Sequence, residues 1–130
     1  MNFLKPDNSF NKNERLSKKT EIDALFFRGK SFVEKPVLVY YKKCLYDKDA
    51  PVKIIISVSK KKLAKAIDRN LIKRRIKEAY RKNKQELIKT CNNNNIGLNI
   101  AFVYLNNEIK NYDSIEKKIV LSLQKIIKLL

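Results

Sequence analysis

Apolar positions in the first half of the chain indicate a short helix followed by two strands. Residues 22–26 place apolar side chains at helical spacing, with Thr20 as the cap and Gly29 where the helix can end in a left-handed conformation. Two runs rich in β-branched and aromatic residues follow at 37–41 and 54–58, separated by a polar turn. We expect these two runs to pair as antiparallel strands.

In the second half, a helical pattern begins at Asp68, a candidate cap, and continues to about residue 89. The asparagine run at 92–95 is typical of a loop, and a third strand follows at 98–105. Asp113 and Glu116 form a candidate capping box for a closing amphipathic helix. The predicted order is α-β-β-α-β-α. This order predicts an α/β fold of the α+β sandwich type, a small mixed sheet with helices packed on it.

The domain organisation follows from the length and from the polar start of the chain. A chain of 130 residues supports one packed core and no second independent one. Residues 1–15 are polar and rich in turn-forming residues, so we expect a flexible N-terminal arm, with 16–130 as a single domain. No segment has the length and hydrophobicity of a signal peptide or a membrane span, which favours a soluble cytoplasmic protein.

Positive charge dominates the chain and is concentrated in its middle. The formal net charge is +17, and residues 53–89 carry fourteen Lys and Arg against three Asp and Glu. This excess favours a polyanionic partner, because it is costly in self-repulsion once the chain is compact. The sequence contains no histidine, which excludes His-based acid/base catalysis and any histidine metal site. Cys44 and Cys91 are far apart, so we interpret them as reduced structural thiols.

The predicted long helix combines a packing face with a cationic flank. Its apolar arc runs from Ile72 to Tyr80, and the polar flank beside it spans about 140° on a helical wheel. Basic side chains four residues apart destabilise an isolated helix, so we interpret the flank as a surface for phosphates. A solvated amphipathic helix is the alternative. The flank comprises Arg69, Asn70, Lys73, Arg74, Lys77, Arg81 and Lys84.

The same basic run resembles a known family signature. Residues 69–81 contain Arg69-Asn70 and Lys73-Arg74, followed at helical spacing by further basic residues and an aromatic, and they come after an apolar strand and Ser59-Lys60-Lys61. This arrangement closely resembles the signature of the bacterial ribonuclease P protein component. Matches around Arg15-Leu16, in the first helix and in the strands extend the resemblance across most of the chain.

The resemblance implies a subunit of ribonuclease P, the RNA-dependent endonuclease that removes the 5′ leader from precursor tRNA. In this family the RNA subunit with bound Mg²⁺ is the catalyst, and one copy of the small protein supports substrate binding and the active RNA fold. It implies no catalytic residue, metal ligand or small-molecule cofactor on the protein. It also implies a left-handed β-α-β crossover, against the usual right-handed sense. The implied contacts with the RNA subunit are Arg69, Asn70, Lys73, Arg74, Arg75, Lys77 and Arg81.

A cleft between the first helix and the sheet is implied for the single-stranded leader. Exposed rings flanked by cations suit base stacking with little sequence preference, although packing of the same rings into the core is the alternative. Ile22 replaces a frequent aromatic of this cleft, and Leu71 replaces the second arginine of the central motif. The implied leader-binding residues are Phe26, Tyr40, Lys60 and Lys61.

Three other functions are compatible with a basic α/β chain. A ribosomal RNA-binding protein of related architecture, with a purely structural role, is the strongest. A helix-turn-helix DNA-binding protein fits less well, because strands dominate the first half and no second short helix precedes the basic one. A membrane-surface helix is disfavoured, since Ile72, Ile76 and Tyr80 offer no more apolar surface than a core requires.

Overall fold

The computed structural model describes residues 9–130, and within this range it contains four helices and four strands. A 3₁₀ turn at Lys12–Glu14 precedes the first helix. The fold is therefore of the predicted α+β class. The elements in chain order are α1 (Lys19–Arg28), β1 (Lys30–Glu34), β2 (Val37–Cys44), β3 (Val52–Val58), α2 (Ala66–Asn83), α3 (Gln85–Asn94), β4 (Gly97–Tyr104) and α4 (Tyr112–Leu129).

The four strands form one mixed sheet in the order β1-β2-β4-β3. The prediction that the runs at 37–41 and 54–58 pair directly was wrong. Strand β4 lies between them, antiparallel to β2 and parallel to β3. All residues of β4 except Val103 are buried, and a strand that is apolar on both faces is stabilised most in a central position. Strand β1 was missed because it is a short, largely exposed edge strand.

The connection from β3 to β4 is a crossover between adjacent parallel strands, and helices α2 and α3 form it. This is the connection for which the resemblance implies a left-handed sense, and that handedness stays a prediction. The expected single helix from Asp68 is interrupted at Lys84, whose own backbone remains helical. The asparagine run was not a loop: α3 continues to Asn94, and Asn95 ends it with a left-handed backbone at φ 52°.

Two hydrophobic cores of unequal size lie on opposite faces of the sheet. The larger one packs α2 and α4 against the sheet, where Ile76 of α2, Ile119 of α4 and Ile100 of β4 are fully buried. The smaller one packs α1 on the other face through Leu16, Leu25 and Ala101. Each buried aliphatic side chain contributes about 1.5–3 kcal/mol, so the face that carries α2 supplies most of the stability.

The helix ends differ from the expected caps. Helix α1 begins one residue before Thr20, after Lys18, and α2 begins before Asp68. Gly29 has an extended backbone with φ −72°, not a left-handed one. Glycine is nevertheless required there, because a Cβ would lie 2.3 Å from the carbonyl oxygen of Leu25. Helix α4 is capped by Asn111, whose side chain accepts a hydrogen bond from the backbone N–H of Ser114.

The predicted N-terminal arm, residues 1–15, lies partly outside the described residues. Its described part is held to the sheet: the backbone N–H of Leu16 donates to the carbonyl of Ile54 at 2.8 Å, and Arg15 forms a parallel bridge with Ile54. Glu14 is buried within the 3₁₀ turn. We call residues 9–16 the N-terminal strap, since they cross the outer edge of β3 and contact α2.

Candidate nucleic-acid interface

Helix α2 presents the two surfaces that its sequence predicts. Ile72, Ile76 and Tyr80 are fully buried, whereas Lys73 and Arg74 are exposed. The packing of α2 against α4 and β3 fixes the rotation of the helix, so the flank faces away from the core. The cations of the flank are thereby held on one side of the protein.

A groove of about 470 Å³ lies between α2, the outer edge of β3 and the N-terminal strap. Leu16 and residues 54–56 form its apolar floor, and Phe10 also lines it. We call it the β3-edge groove. Its polar rim consists of Arg15, Asn70, Lys73, Arg74 and Lys77.

The rim cations have no acidic partners within residues 9–130. Ion pairs in this range join Arg81 to Glu78, Lys84 to Glu14 and Lys110 to Glu108. The four basic residues of the rim take part in none of them. Like charges held together without counter-charges raise the local positive potential, and such a surface attracts phosphates strongly.

Phe10 joins the strap to the flank. Its ring meets the ring of Tyr80 edge-on, with centroids 6.0 Å apart. The Lys77 ammonium lies 5.3 Å from the Phe10 ring centroid, and the Arg15 guanidinium lies 5.7 Å from it. Cations over an aromatic face are attracted by its quadrupole, so Phe10 holds two rim cations in place.

Lys84 is not part of the cationic flank, contrary to the helical-wheel assignment. Its side chain is 2% exposed, and its ammonium lies 2.6 Å from a carboxylate oxygen of Glu14. The same ammonium also donates to the carbonyl of Ser9. A regular helical wheel could not show this, because the partner comes from a segment 70 residues earlier in the chain. The buried pair fastens the strap to the junction of α2 and α3.

Three arginines of the predicted interface also contact their own chain. Arg69 donates to the carbonyls of Leu63 and Ala64 at 2.9 and 2.7 Å, which closes the loop between β3 and α2. Arg75 donates to the carbonyl of Lys110 at 2.6 Å. Each guanidinium has five N–H donors, so these contacts orient the groups without using all of their donors.

Arg81 is paired with Glu78 one helical turn earlier, through two hydrogen bonds of 2.9 and 2.7 Å. The hydrogen bonds from Arg81 lower the pKa of the Glu78 carboxyl, and Glu78 raises the pKa of the guanidinium in return. Arg81 therefore differs from Lys73 and Arg74 in that its charge is largely compensated. The predicted site residues on α2 divide into an unpaired group at the rim and an internally bonded group.

Phe26 and Tyr40 lie together at the junction of α1 and the sheet. Their ring centroids are 4.8 Å apart with an edge-on geometry, and Tyr40 packs against the small core of Leu16, Leu25 and Ala101. Phe26 is 36% exposed and Tyr40 is half-buried. The two rings therefore pack against each other while part of each ring remains exposed to solvent.

The open part of this sheet face continues beyond α1. Leu38 pairs with Val33 on one side and with Val103 on the other, and Val33 is 51% exposed. Sequence analysis missed this apolar strip, although Leu38 alternates with the buried residues of β2. Lys60 and Lys61 are exposed in the turn that follows β3. The Ser59 hydroxyl accepts a hydrogen bond from the backbone N–H of Lys61 in this turn.

Within residues 9–130, the structure gives little support for a metal site, a reactive cysteine or a membrane-spanning helix. No group of three or more Cys, Asp or Glu side chains converges in a metal-binding arrangement there. Cys91 is buried, and burial raises the pKa of its thiol to about 11. Burial also raises the pKa of Cys44, whose thiol contacts the amide oxygen of Asn99. None of the helices in the described range is long and apolar enough to cross a membrane.

Comparison with known proteins decides the family. A sequence model of the family described as ribonuclease P matches residues 10–127. The chain belongs to the ribonuclease P protein family. As a ribonuclease P protein component it acts in tRNA processing, together with the ribonuclease P RNA. The matched region includes the strap from Phe10 onwards, the flank, and Phe26 and Tyr40 at the junction of α1 and the sheet, which we call the α1 cleft.

Relatives in this family share about a third of their residues with the chain. The ribonuclease P protein component of Porphyromonas gingivalis W83 is 34% identical over 121 residues, covering 93% of this chain and 88% of that protein. The component of Clostridioides difficile 630 is 35% identical over 119 residues, covering 92% and 93%.

Solved structures share the fold. The ribonuclease P protein from Thermotoga maritima superposes with a TM-score of 0.65 at 24% identity, covering 86% of this chain and 96% of that one. A Staphylococcus aureus RNase P protein, described as a mutant with defective mRNA degradation activity, gives a TM-score of 0.65 at 23% identity and covers 90% of both chains. The predicted α+β fold is therefore confirmed by proteins of the same family.

Proposed function

We propose that this chain binds the catalytic RNA of ribonuclease P through the flank of α2. We also propose that it binds the 5′ leader of precursor tRNA through the cleft beside α1. In this role it assists the Mg²⁺-dependent removal of the leader by the RNA subunit. The proposed contacts with the RNA subunit are Arg69, Asn70, Lys73, Arg74, Arg75, Lys77 and Arg81, and those with the leader are Phe26, Tyr40, Lys60 and Lys61.

The observation that carries this proposal is the set of unpaired cations on the rim of the β3-edge groove. Lys73 and Arg74 are exposed and have no carboxylate partner within residues 9–130. Binding of RNA phosphates to such groups releases condensed counterions, which drives association and makes it depend on salt. Two of the three bonded arginines also hold α2 in position while they offer their remaining donors. Arg69 does so at the start of the helix, and Arg75 does so at its middle through the carbonyl of Lys110.

The α1 cleft suits a single strand better than a duplex. Phe26 and Tyr40 present partly exposed rings, and unpaired bases can stack on aromatic faces regardless of their identity. Lys60 and Lys61 supply positive charge in the turn after β3. A leader of variable sequence needs this kind of binding, because contacts to base edges would restrict the substrates.

Cleavage itself is assigned to the RNA subunit. Metal-assisted phosphodiester hydrolysis requires convergent oxygen ligands, which RNA phosphates can provide, and Mg²⁺ bound there would activate the attacking water. The protein contributes charge: its cations reduce the repulsion between two polyanions, the RNA subunit and the precursor tRNA. One copy of the chain is sufficient for this role.

The direct experiment combines the full chain with ribonuclease P RNA and precursor tRNA at low Mg²⁺, with release of the 5′ leader as the readout. We expect cleavage at the mature 5′ end only when the protein is added. If the protein binds both RNAs without promoting cleavage, the alternative of a structural ribosomal RNA-binding protein gains support. Equal cleavage with and without protein would contradict the proposal.

A further inference from the structure

An unusual feature of the β3-edge groove is that it combines a cationic rim with an exposed strand edge. Strand β3 is the last strand of the sheet, and the strap covers its outer edge only as far as Ile54. Ile56 lies two residues further along, so its backbone N–H and C=O point to the same edge as those of Ile54. Within residues 9–130, no backbone hydrogen bond from outside the sheet reaches these two groups of Ile56.

A donor and an acceptor that the described residues leave open, beside an apolar floor, form a recognition site for a flat polar molecule. Unstacked nucleobases have such a shape, with two faces that seek apolar contact and an edge that carries donors and acceptors. The groove volume of about 470 Å³ lies in the range of about 300–1,000 Å³ that is typical of small-ligand sites. Phe10 and Leu16 offer apolar contact, while Lys73 and Arg74 can hold the attached phosphate.

We infer that the β3-edge groove receives one unstacked nucleotide of the catalytic RNA, with its base against Ile56 and its phosphate at the rim. This inference rests on the proposed function. The RNA subunit is the chosen source because four of the five rim residues belong to the α2 flank, whereas Phe26 and Tyr40 of the leader cleft do not line the groove. The protein would then fix a single base of its RNA as well as neutralise phosphates.

The first test uses the free full-length protein and three probes: adenosine 5′-monophosphate, ribose 5-phosphate and inorganic phosphate. We expect all three to shift the amide NMR signals of Lys73 and Arg74, and only the nucleotide to shift the amide of Ile56. If the nucleotide produces the same shifts as ribose 5-phosphate, the groove is a phosphate site without a base pocket, and the inference fails.

The second test identifies the occupant in the assembled complex. Ultraviolet irradiation of the holoenzyme with bound precursor tRNA, followed by mass spectrometry, should link a peptide containing Phe10 or Ile56 to one nucleotide of the RNA subunit. A crosslink to the leader would overturn the assignment of the occupant. If the protein does not bind the RNA subunit at all, the proposed function itself is refuted. The two failures can therefore be told apart.

A variant pair gives a quantitative check. Phe10→Leu keeps an apolar side chain on Tyr80 but removes ring surface from the groove, and Phe27→Leu is the matched control on an exposed ring of α1. We expect Phe10→Leu to weaken binding to the RNA subunit by about 5- to 150-fold, since base contacts with the ring are lost, whereas Phe27→Leu should leave this binding unchanged. Unchanged affinity in a variant that unfolds normally would contradict the inference.

Discussion

The α2 flank and the α1 cleft bind RNA, in our proposal, by different physical means. Lys73 and Arg74 of the flank are exposed charges without acidic partners in the described range, and they contribute little to the stability of the fold. Phe26 and Tyr40 of the cleft contact each other and the small core, so the same rings stabilise the protein and face solvent. Binding by surface charges can thus be changed without disturbing the core, whereas the rings that stack on bases also pack in the core.

The largest effect is expected at the buried pair of Glu14 and Lys84, which fastens the strap to the junction of α2 and α3. Lys84→Met should lower the free energy of unfolding by about 3–5 kcal/mol, because it leaves the Glu14 carboxylate buried without a counter-charge, held only by the backbone N–H of Asn11. Urea unfolding followed by circular dichroism measures this loss. The double variant Glu14→Leu, Lys84→Met should recover most of it, since no buried charge remains. A loss below about 1 kcal/mol in the single variant would show that the strap is only weakly held.

A second comparison separates stacking from packing in the α1 cleft. Phe26→Leu and Tyr40→Leu should each weaken binding of leader-bearing precursor tRNA by about 1–3 kcal/mol, and should affect mature tRNA much less. Equilibrium binding of both RNAs to the holoenzyme provides the measurement, with Phe27→Leu as the control on the same helix. Equal losses for the two RNAs would mean that the rings serve the core alone.

A smaller effect is expected where a flank charge is already compensated. Glu78→Gln removes the carboxylate that compensates the charge of Arg81, so the positive charge of the flank increases by one. RNA affinity at low salt should therefore rise, by less than about tenfold, while stability changes little because the pair is on the surface. A filter-binding titration against ribonuclease P RNA detects the change. Reduced affinity would indicate that the pair orients Arg81 for binding.

The flank was more predictable than the rest of the site because periodicity and charge are local properties. Spacings of three and four residues correctly separated Ile72 and Ile76 from Lys73 and Arg74. The same reasoning misplaced Lys84, because its partner Glu14 comes from the strap and no local pattern links them. Phe10 was overlooked in a polar segment, although an isolated aromatic there is itself a signal of docking.

Strand pairing was wrong for a related reason. The runs at 37–41 and 54–58 are neighbours in sequence, and sequential strands usually pair. Strand β4 is more completely buried than either of them, so it takes the place between them in the sheet. Which strands pair depends on how completely each whole strand is buried between the two helical layers. The alternation of apolar and polar residues within one strand does not reveal this burial. The reason for glycine at position 29 is also a matter of packing, because nearby carbonyl oxygens leave no room for a Cβ.

The central claim is that unpaired cations of the α2 flank bind phosphates of the catalytic RNA, and a salt titration tests it most directly. The logarithm of the binding constant should fall linearly with the logarithm of salt concentration, with a slope of about −0.7 to −0.9 per phosphate contacted. Lys73→Ala and Arg74→Ala should each make the slope shallower by about one such unit, whereas Lys117→Ala on the exposed side of α4 should not. A wild-type slope near zero, or equal slopes for all three variants, would contradict the account.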